Sequence, residues 1–205
     1  MRRGTVIVFS KAPRAGAVKT RLAAEIGAGR ATALFRVMLD RTITEAQKGP
    51  WRLQLAVDPF GGFERVWPTG VKRIAQGPGD LGARMARVFK DAPAGPVLII
   101  GADAPGLRAH HLRAAFNHLR GADAVFGPAQ DGGYWLVGLA RRPAALDLFY
   151  PDLFRNVRWS SEHALSDTLR SLPATFDVQI LSDTLADIDE AKDLSALGPF
   201  STRSS

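Results

Sequence analysis

The apolar residues of this chain come in short β-branched runs, and most of these runs are followed by a stretch with helical spacing. TVIVF (5–9) and PVLIIGAD (96–103) have no polar side until their last residues, the pattern of strands buried on both faces of a parallel sheet. LQLAVD (53–58), VKRIAQ (71–76) and FDVQIL (176–181) read as further strands. From Thr20 the apolar residues Leu22, Ile26, Leu34, Val37 and Met38 recur at helical spacing, with Gly27 and Gly29 placed to split the run into two helices. LGARMARVFKDA (81–92) puts Leu81, Met85, Val88 and Phe89 on one helical face. RAHHLRAAFNHL (108–119) and SSEHALSDTLRSL (160–172) are also helical, the second with Ser160 or Ser161 as N-cap. DAVFGPAQDGGYWLVGL (123–139) reads as two strands around a Gly-rich turn, and DIDEAKDLSAL (187–197) as a short closing helix. Strands alternating with helices from end to end predict one α/β domain of three layers, α/β/α. Its sheet is mostly parallel, and the pair around the DGG turn adds an antiparallel strand. The domain is expected over residues 1–198, with a frayed tail at 199–205.

Composition narrows the function. With 205 residues the chain can bury a full core, and 46% hydrophobic against 23% charged residues describes a soluble globular protein. No apolar run approaches the roughly eighteen residues of a membrane helix, and the run after MRRG is too short for a secretion signal. A cytoplasmic protein with no membrane partner is expected. The absence of cysteine excludes disulfides, thiolate metal sites and cysteine nucleophiles. His110, His111, His118 and His163 show no metal-ligand spacing and read as solvated surface residues. The net charge of +7 suits nucleic acid, a membrane face or a phosphorylated small molecule, so the location of the charge matters more than its sum.

In an open parallel sheet, ligands bind beyond the carboxyl ends of the strands. The first such loop carries Lys11, Arg14, Lys19 and Arg21, and it leads into a helix whose free N–H groups favour anions. Phosphate is the expected guest, with Thr20 beside Lys19. The stretch is not a Walker A loop, because Ala17-Val18 rather than Gly precedes Lys19-Thr20. GPGDLG (77–82) does match a dinucleotide fingerprint, with Asp103 about twenty residues on. Asp80 would repel a pyrophosphate there, and the basic first loop would have no task. An NAD(P)-binding protein is therefore a remote alternative, and the glycines Gly77, Gly79 and Gly82 read instead as a surface that lets a nucleotide base approach.

The other loops are acidic. Asp103 stands at the mouth of a buried strand, facing the basic loop, which suits Mg²⁺ or Mn²⁺ held with substrate phosphates. Asp187 and Asp189 precede the closing helix, and Asp189 can complete that metal site. AQDGGYWLVG (129–138) offers Asp131 as a base or hydroxyl ligand, Gly132 and Gly133 for close backbone contact, and Tyr134 and Trp135 for stacking on a sugar. One of the two aromatics must face the core if the segment is a strand. The acids Asp80, Asp103 and Asp131 beside the basic loop argue against nucleic acid as the partner.

KAPRAGAVKTRL, QGPGDLGARM, GADAPGL, GPAQDGGYWLVGL, VRWSS and DIDEAKDL, in that order over nearly the whole chain, resemble the nucleotide-diphospho-sugar transferase superfamily of GT-A fold. The resemblance is closer to a bacterial family of glycosyltransferases named for radical-SAM/selenodomain gene neighbours. Lys11…Lys19-Thr20-Arg21-Leu22 is also similar to 2-phospholactate guanylyltransferases. The resemblance implies that Lys11, Arg14, Lys19, Thr20 and Arg21 hold nucleotide phosphates, and that Gln76 to Gly82, including Gly77, Gly79, Asp80 and Gly82, contact the base. It implies Asp103 and Asp189 as metal ligands, although Glu190-Ala191-Lys192 departs from the T-P-E of sugar nucleotidyltransferases. Asp131, Gly132, Gly133, Tyr134, Trp159 and Ser160 would line the acceptor pocket, with Asp131 and Lys19 in catalytic roles. The expected activity is glycosyl transfer from a nucleotide-diphospho-sugar to a small acceptor. The alternative is nucleotidyl transfer, joining a nucleoside triphosphate to a sugar phosphate or phosphorylated acid with release of pyrophosphate.

Overall fold

The computed structural model describes residues 3–61, 64–141 and 153–197. Seven strands form one sheet: β1 (Thr5–Lys11), β2 (Arg52–Asp58), β3 (Lys72–Ala75), β4 (Val97–Gly101), β5 (Ala124–Pro128), β6 (Tyr134–Leu139) and β7 (Val178–Ile180). Their spatial order is β3-β2-β1-β4-β6-β5-β7. β1 runs parallel to both β2 and β4, and β5 runs parallel to β7. Only β6 opposes its neighbours, pairing antiparallel with β4 and with β5. The expected antiparallel strand is thus the second arm of the hairpin around the DGG turn, inserted between the parallel strands.

Alternation along the strands sends successive side chains to opposite faces. Val6, Val8, Leu55, Leu98 and Ile100 join one core, against Leu22 of α1 (Thr20–Ile26), Phe35, Leu39 and Ile43 of α2 (Ala28–Ala46), and Leu112 of α4 (Ala109–His118). Ile7, Ile99, Phe126 and Val137 join a second core, against Met85 and Phe89 of α3 (Leu81–Asp91) and Leu165 and Leu169 of α5 (Ala164–Ser171). Helices therefore cover both faces, as the alternating pattern predicts. The first helical run does break at Gly27, whose φ of 88° ends α1 and opens α2.

Two expectations are corrected. α5 starts at Ala164 with His163 at the cap position, not at Ser160 or Ser161. Ser161 Oγ instead donates to Arg158 O at 2.7 Å and accepts from His163 N at 3.3 Å, which holds the chain in a turn before the helix. The closing helix is of the 3₁₀ type and spans Ala191–Leu197. His111 is not a solvated surface residue: it is 5% exposed, and its Nδ1 accepts from Arg108 N at 3.0 Å to cap α4. The expected frayed tail, 199–205, lies outside the described residues.

Candidate active site

A cleft of about 630 Å³ opens at the carboxyl edge of β1 and β4. Lys11, Lys19, Thr20 and Arg21 line it from the first loop, and Asp103, Asp131 and Asp189 line it from three others. Its floor is apolar. Phe9, Ile99 and Val137 rise from neighbouring strands, and Leu81 and Met85 come from the first turns of α3. The sequence reading missed this floor, because those residues look like ordinary core positions until the sheet edge is assembled.

Lys19 is the hub of the polar end. It caps α1 in the left-handed conformation, φ 48°, which turns its side chain back across the sheet edge. Nζ donates to Asp103 Oδ2 at 2.8 Å and to Asp189 Oδ1 at 2.7 Å, and the side chain is only 5% exposed. Burial works against its charge, but the two carboxylates outweigh burial and hold its pKa above the ordinary lysine value. Asp103 and Asp189 come from separate loops and converge on one cationic atom. Two carboxylates aimed at a single positive point are the donor set that Mg²⁺ or Mn²⁺ takes alongside substrate phosphates, so these residues fit the ion.

Asp187 lies in the same field. Burial, followed by the nearby charges of Asp189, Asp131 and Asp103, pushes its carboxyl up to about 6. Asp193 accepts from Asp189 N at 3.0 Å and Glu190 N at 2.8 Å, so Asp193 shapes this loop while Asp189 is left to face Lys19.

Across the cleft, Asp131 Oδ1 takes the Gly133 N–H at 2.9 Å, which closes the turn between β5 and β6. Gly132 has φ 84° and its Cα faces the backbone of Glu162, and its carbonyl accepts from Leu165 N at 3.0 Å. These glycines are accounted for by chain packing. Tyr134 and Ser160 line the cleft, whereas Trp159 packs on Tyr134 and Phe154 behind it. Tyr134 OH lies 3.3 Å from Thr168 Oγ1, and burial pushes its pKa far up. Trp135 also lines the cleft, but its ring packs into the other core, where it meets His111 and Nε1 donates to Asp183 O at 3.3 Å.

Apart from Leu81 in the floor, residues 76–82 sit beside the cleft without lining it. Gln76 is 3% exposed, and Nε2 donates to the carbonyls of Ser10 and Ala56 at 3.1 and 2.9 Å. Asp80 caps α3, accepting from Ala83 N at 2.8 Å. Arg87 Nη1 donates to the carbonyls of Gln76 and Pro78 and faces Gly77, and Arg84 Nε donates to Gly79 O. Gly82 packs under Phe154 and Trp159. Arg14 is exposed on the turn of the first loop, outside the cleft lining.

A second polar group lies at the start of α4. His110, His111 and Asp183 bring one ligand atom each within 4.8 Å of one another. Because His111 Nδ1 accepts a backbone N–H, the neutral ring keeps its proton on Nε2, 3.8 Å from Asp183 Oδ2. That tautomer favours a hydrogen-bonding role over metal ligation, and burial lowers the ring's pKa.

Residues 41–161 match a family described as uncharacterized proteins conserved in bacteria, DUF2064. The chain belongs to this family. No curated protein matches this DUF2064 chain. Among solved structures, it is similar to a candidate nucleotide-diphospho-sugar transferase from Desulfovibrio desulfuricans G20, with 28% identity over 100% of this chain and 90% of that one, and a TM-score of 0.81. It also shares its fold with Rv0371C of Mycobacterium tuberculosis H37Rv, solved with manganese, at 15% identity over 95% of this chain and 97% of that one and a TM-score of 0.59. The inositol-1-phosphate CTP transferase of T. maritima has the same fold, at 12% identity over 93% of this chain and 91% of that one and a TM-score of 0.59. The expected membership of the nucleotide-diphospho-sugar transferase superfamily therefore holds, and the chain is a transferase-fold protein of one domain. Among the described residues, no helix is long and apolar enough to cross a membrane.

Proposed function

We propose that this protein transfers a glycosyl group from a nucleotide-diphospho-sugar to a small acceptor, with a divalent metal. The reading is carried by one observation: the cations Lys11, Lys19 and Arg21 share a single cleft with Asp103, Asp131 and Asp189. A diphosphate needs the first set, and a metal and a nucleophile need the second. The likeness to the Desulfovibrio protein supports a nucleotide-sugar donor.

In this reading Lys11, Arg21 and the N-terminus of α1 bind the donor's phosphates and stabilise the charge that builds on them. Asp103 and Asp189 would hold the metal, which would supply neutralisation of phosphate charge. An acceptor hydroxyl bonds to the anomeric carbon as the bond from that carbon to the phosphate oxygen breaks. The nucleoside diphosphate leaves with the electron pair, and Asp131 takes the hydroxyl proton. Gly132 and Gly133 fix the turn that carries Asp131. Tyr134 and Ser160 shape the wall where the acceptor lies.

The second reading, nucleotidyl transfer, is supported by the fold shared with the inositol-1-phosphate CTP transferase. Calorimetric titration with and without Mg²⁺ separates the two. Glycosyl transfer requires that a nucleotide sugar and its diphosphate bind best. A triphosphate bound tightly with metal, beside weak nucleotide sugars, establishes nucleotidyl transfer. If no nucleotide binds even with metal, both readings fail.

A further inference from the structure

The active-site cleft has two chemically different parts. Lys11, Lys19, Arg21, Asp103 and Asp189 make up the charged part. The other is the floor that crosses β1, β4 and β6, and its side chains are apolar. Leu81 is 42% exposed there, although the other apolar residues on its helical face, Met85, Val88 and Phe89, are buried. Phe9 and Tyr134 are half-buried in the same cleft, and Met85 lies at its bottom.

Tyr134 gives this surface a ring, not a hydroxyl. Its OH lies 3.3 Å from Thr168 Oγ1 of α5, and Thr168 is fully buried. Among the described residues, Asp131 and Ser160 are then the polar side chains that the β6 end of the cleft offers. A polyhydroxylated ring laid on this floor would lose water from hydroxyls that Leu81, Phe9 and Met85 cannot bond. An apolar ring there is favoured instead, because it covers Leu81 and Phe9. The flexible thioether of Met85 can adapt to such a ring.

The floor extends from β1 toward β6, away from β2 and β3, and β6 begins at the turn that carries Asp131. A molecule on the floor can therefore present a hydroxyl to Asp131, the proton acceptor of the transfer reading.

We propose that the acceptor is an alcohol or phenol with an apolar body, lying on Leu81, Phe9, Met85 and the Tyr134 ring with its hydroxyl at Asp131. The inference rests on the acceptor role that the transfer reading gives this wall. The test compares benzyl alcohol with glucose by NMR titration of the full chain, read on the methyl signals of Leu81 and Met85. Both compounds carry a primary hydroxyl on a six-membered ring, apolar in the first and polyhydroxylated in the second. Benzyl alcohol is expected to shift both methyl signals and to bind roughly tenfold more tightly than glucose. Leu81→Ser changes an exposed residue at a helix start, and it is expected to weaken benzyl alcohol binding roughly fivefold. Mg²⁺ with saturating uridine, cytidine, adenosine or guanosine diphosphate is expected to leave benzyl alcohol bound. Glucose bound as tightly as benzyl alcohol overturns the proposal, as does unchanged affinity in Leu81→Ser. Expulsion of benzyl alcohol by a nucleoside diphosphate also overturns it, because the floor then holds the donor's base. Failure of every nucleotide to bind overturns the transfer reading, whereas the preference for benzyl alcohol is measured without nucleotide and stands or falls separately.

Discussion

The ammonium of Lys19 lies 2.8 Å from Asp103 Oδ2, and the same atom reaches Asp189 Oδ1 at 2.7 Å. A divalent ion drawn to these carboxylates has to displace the lysine or share them with it. Displacement would free Lys19 for the donor's phosphates, so metal and nucleotide would bind cooperatively.

Lys19→Gln removes the competing charge and keeps a polar side chain. Without nucleotide, Mn²⁺ should bind this variant roughly tenfold more tightly than the wild type, because one unit of positive charge has left a partly shielded site. Turnover should fall at the same time. Electron paramagnetic resonance of free Mn²⁺ measures the first effect. Unchanged or weaker metal binding would mean that Lys19 and the ion do not compete.

Asp131→Asn keeps an oxygen that can accept the Gly133 N–H, so the turn should survive. Loss of a general base costs roughly a hundredfold to ten-thousandfold in turnover. Donor affinity, read by calorimetry, should stay near the wild-type value. A large loss of donor binding would move Asp131 into the nucleotide or metal shell.

The sheet was legible in the sequence because its strands are short, β-branched and bounded by turn residues: TVIVF could not be a helix of useful length. The order of the cleft loops followed from the fold class. Lys19 was legible as a cation of the first loop, but not as the partner of Asp103 and Asp189, which lie 84 and 170 residues away. Local signals also misled where tertiary bonds competed with them. Ser161 looks like a helix cap, yet its hydroxyl is drawn to Arg158 O, and the helix begins later. The use of the Gln76 side-chain N–H groups between β1 and β2 had no sequence signal. The apolar floor gave no signal at all, since core and floor residues share one alternation pattern.

Gly82 tests whether the 154–159 segment is a movable wall. A Cβ at this position would stand 2.8 Å from Phe154 Cβ and from its carbonyl oxygen, and 3.0 Å from Trp159. Gly82→Ala gains about 1 kcal/mol in helix propensity. Overpacking costs about 1–3 kcal/mol and should prevail. The melting temperature should drop, and KM for the acceptor should rise more than KM for the donor, because Ser160 continues from the displaced segment. Equal changes in both would argue that the displacement does not reach the acceptor wall.

Asp187 gives a pH test. Its carboxyl has a folded value of about 6 against an ordinary 3.8. Ionisation therefore favours the unfolded chain, and the stability this group supplies is lost as the pH rises from 3.8 through 6. Asp187→Asn cannot ionise, so it should be more stable than the wild type at pH 8, with the gain shrinking as the pH falls toward 4. Because the residue is only partly buried, solvent screening reduces the gain to about 1 kcal/mol. Added Mn²⁺ should shrink the gain further at pH 8, since a cation near Asp103 and Asp189 stabilises the ionised Asp187 of the wild type. Melting curves of the two proteins across this pH range, with and without the ion, supply the measurement. Identical pH profiles would show that the acidic loops do not act on Asp187, and a gain unaffected by Mn²⁺ would place the ion elsewhere.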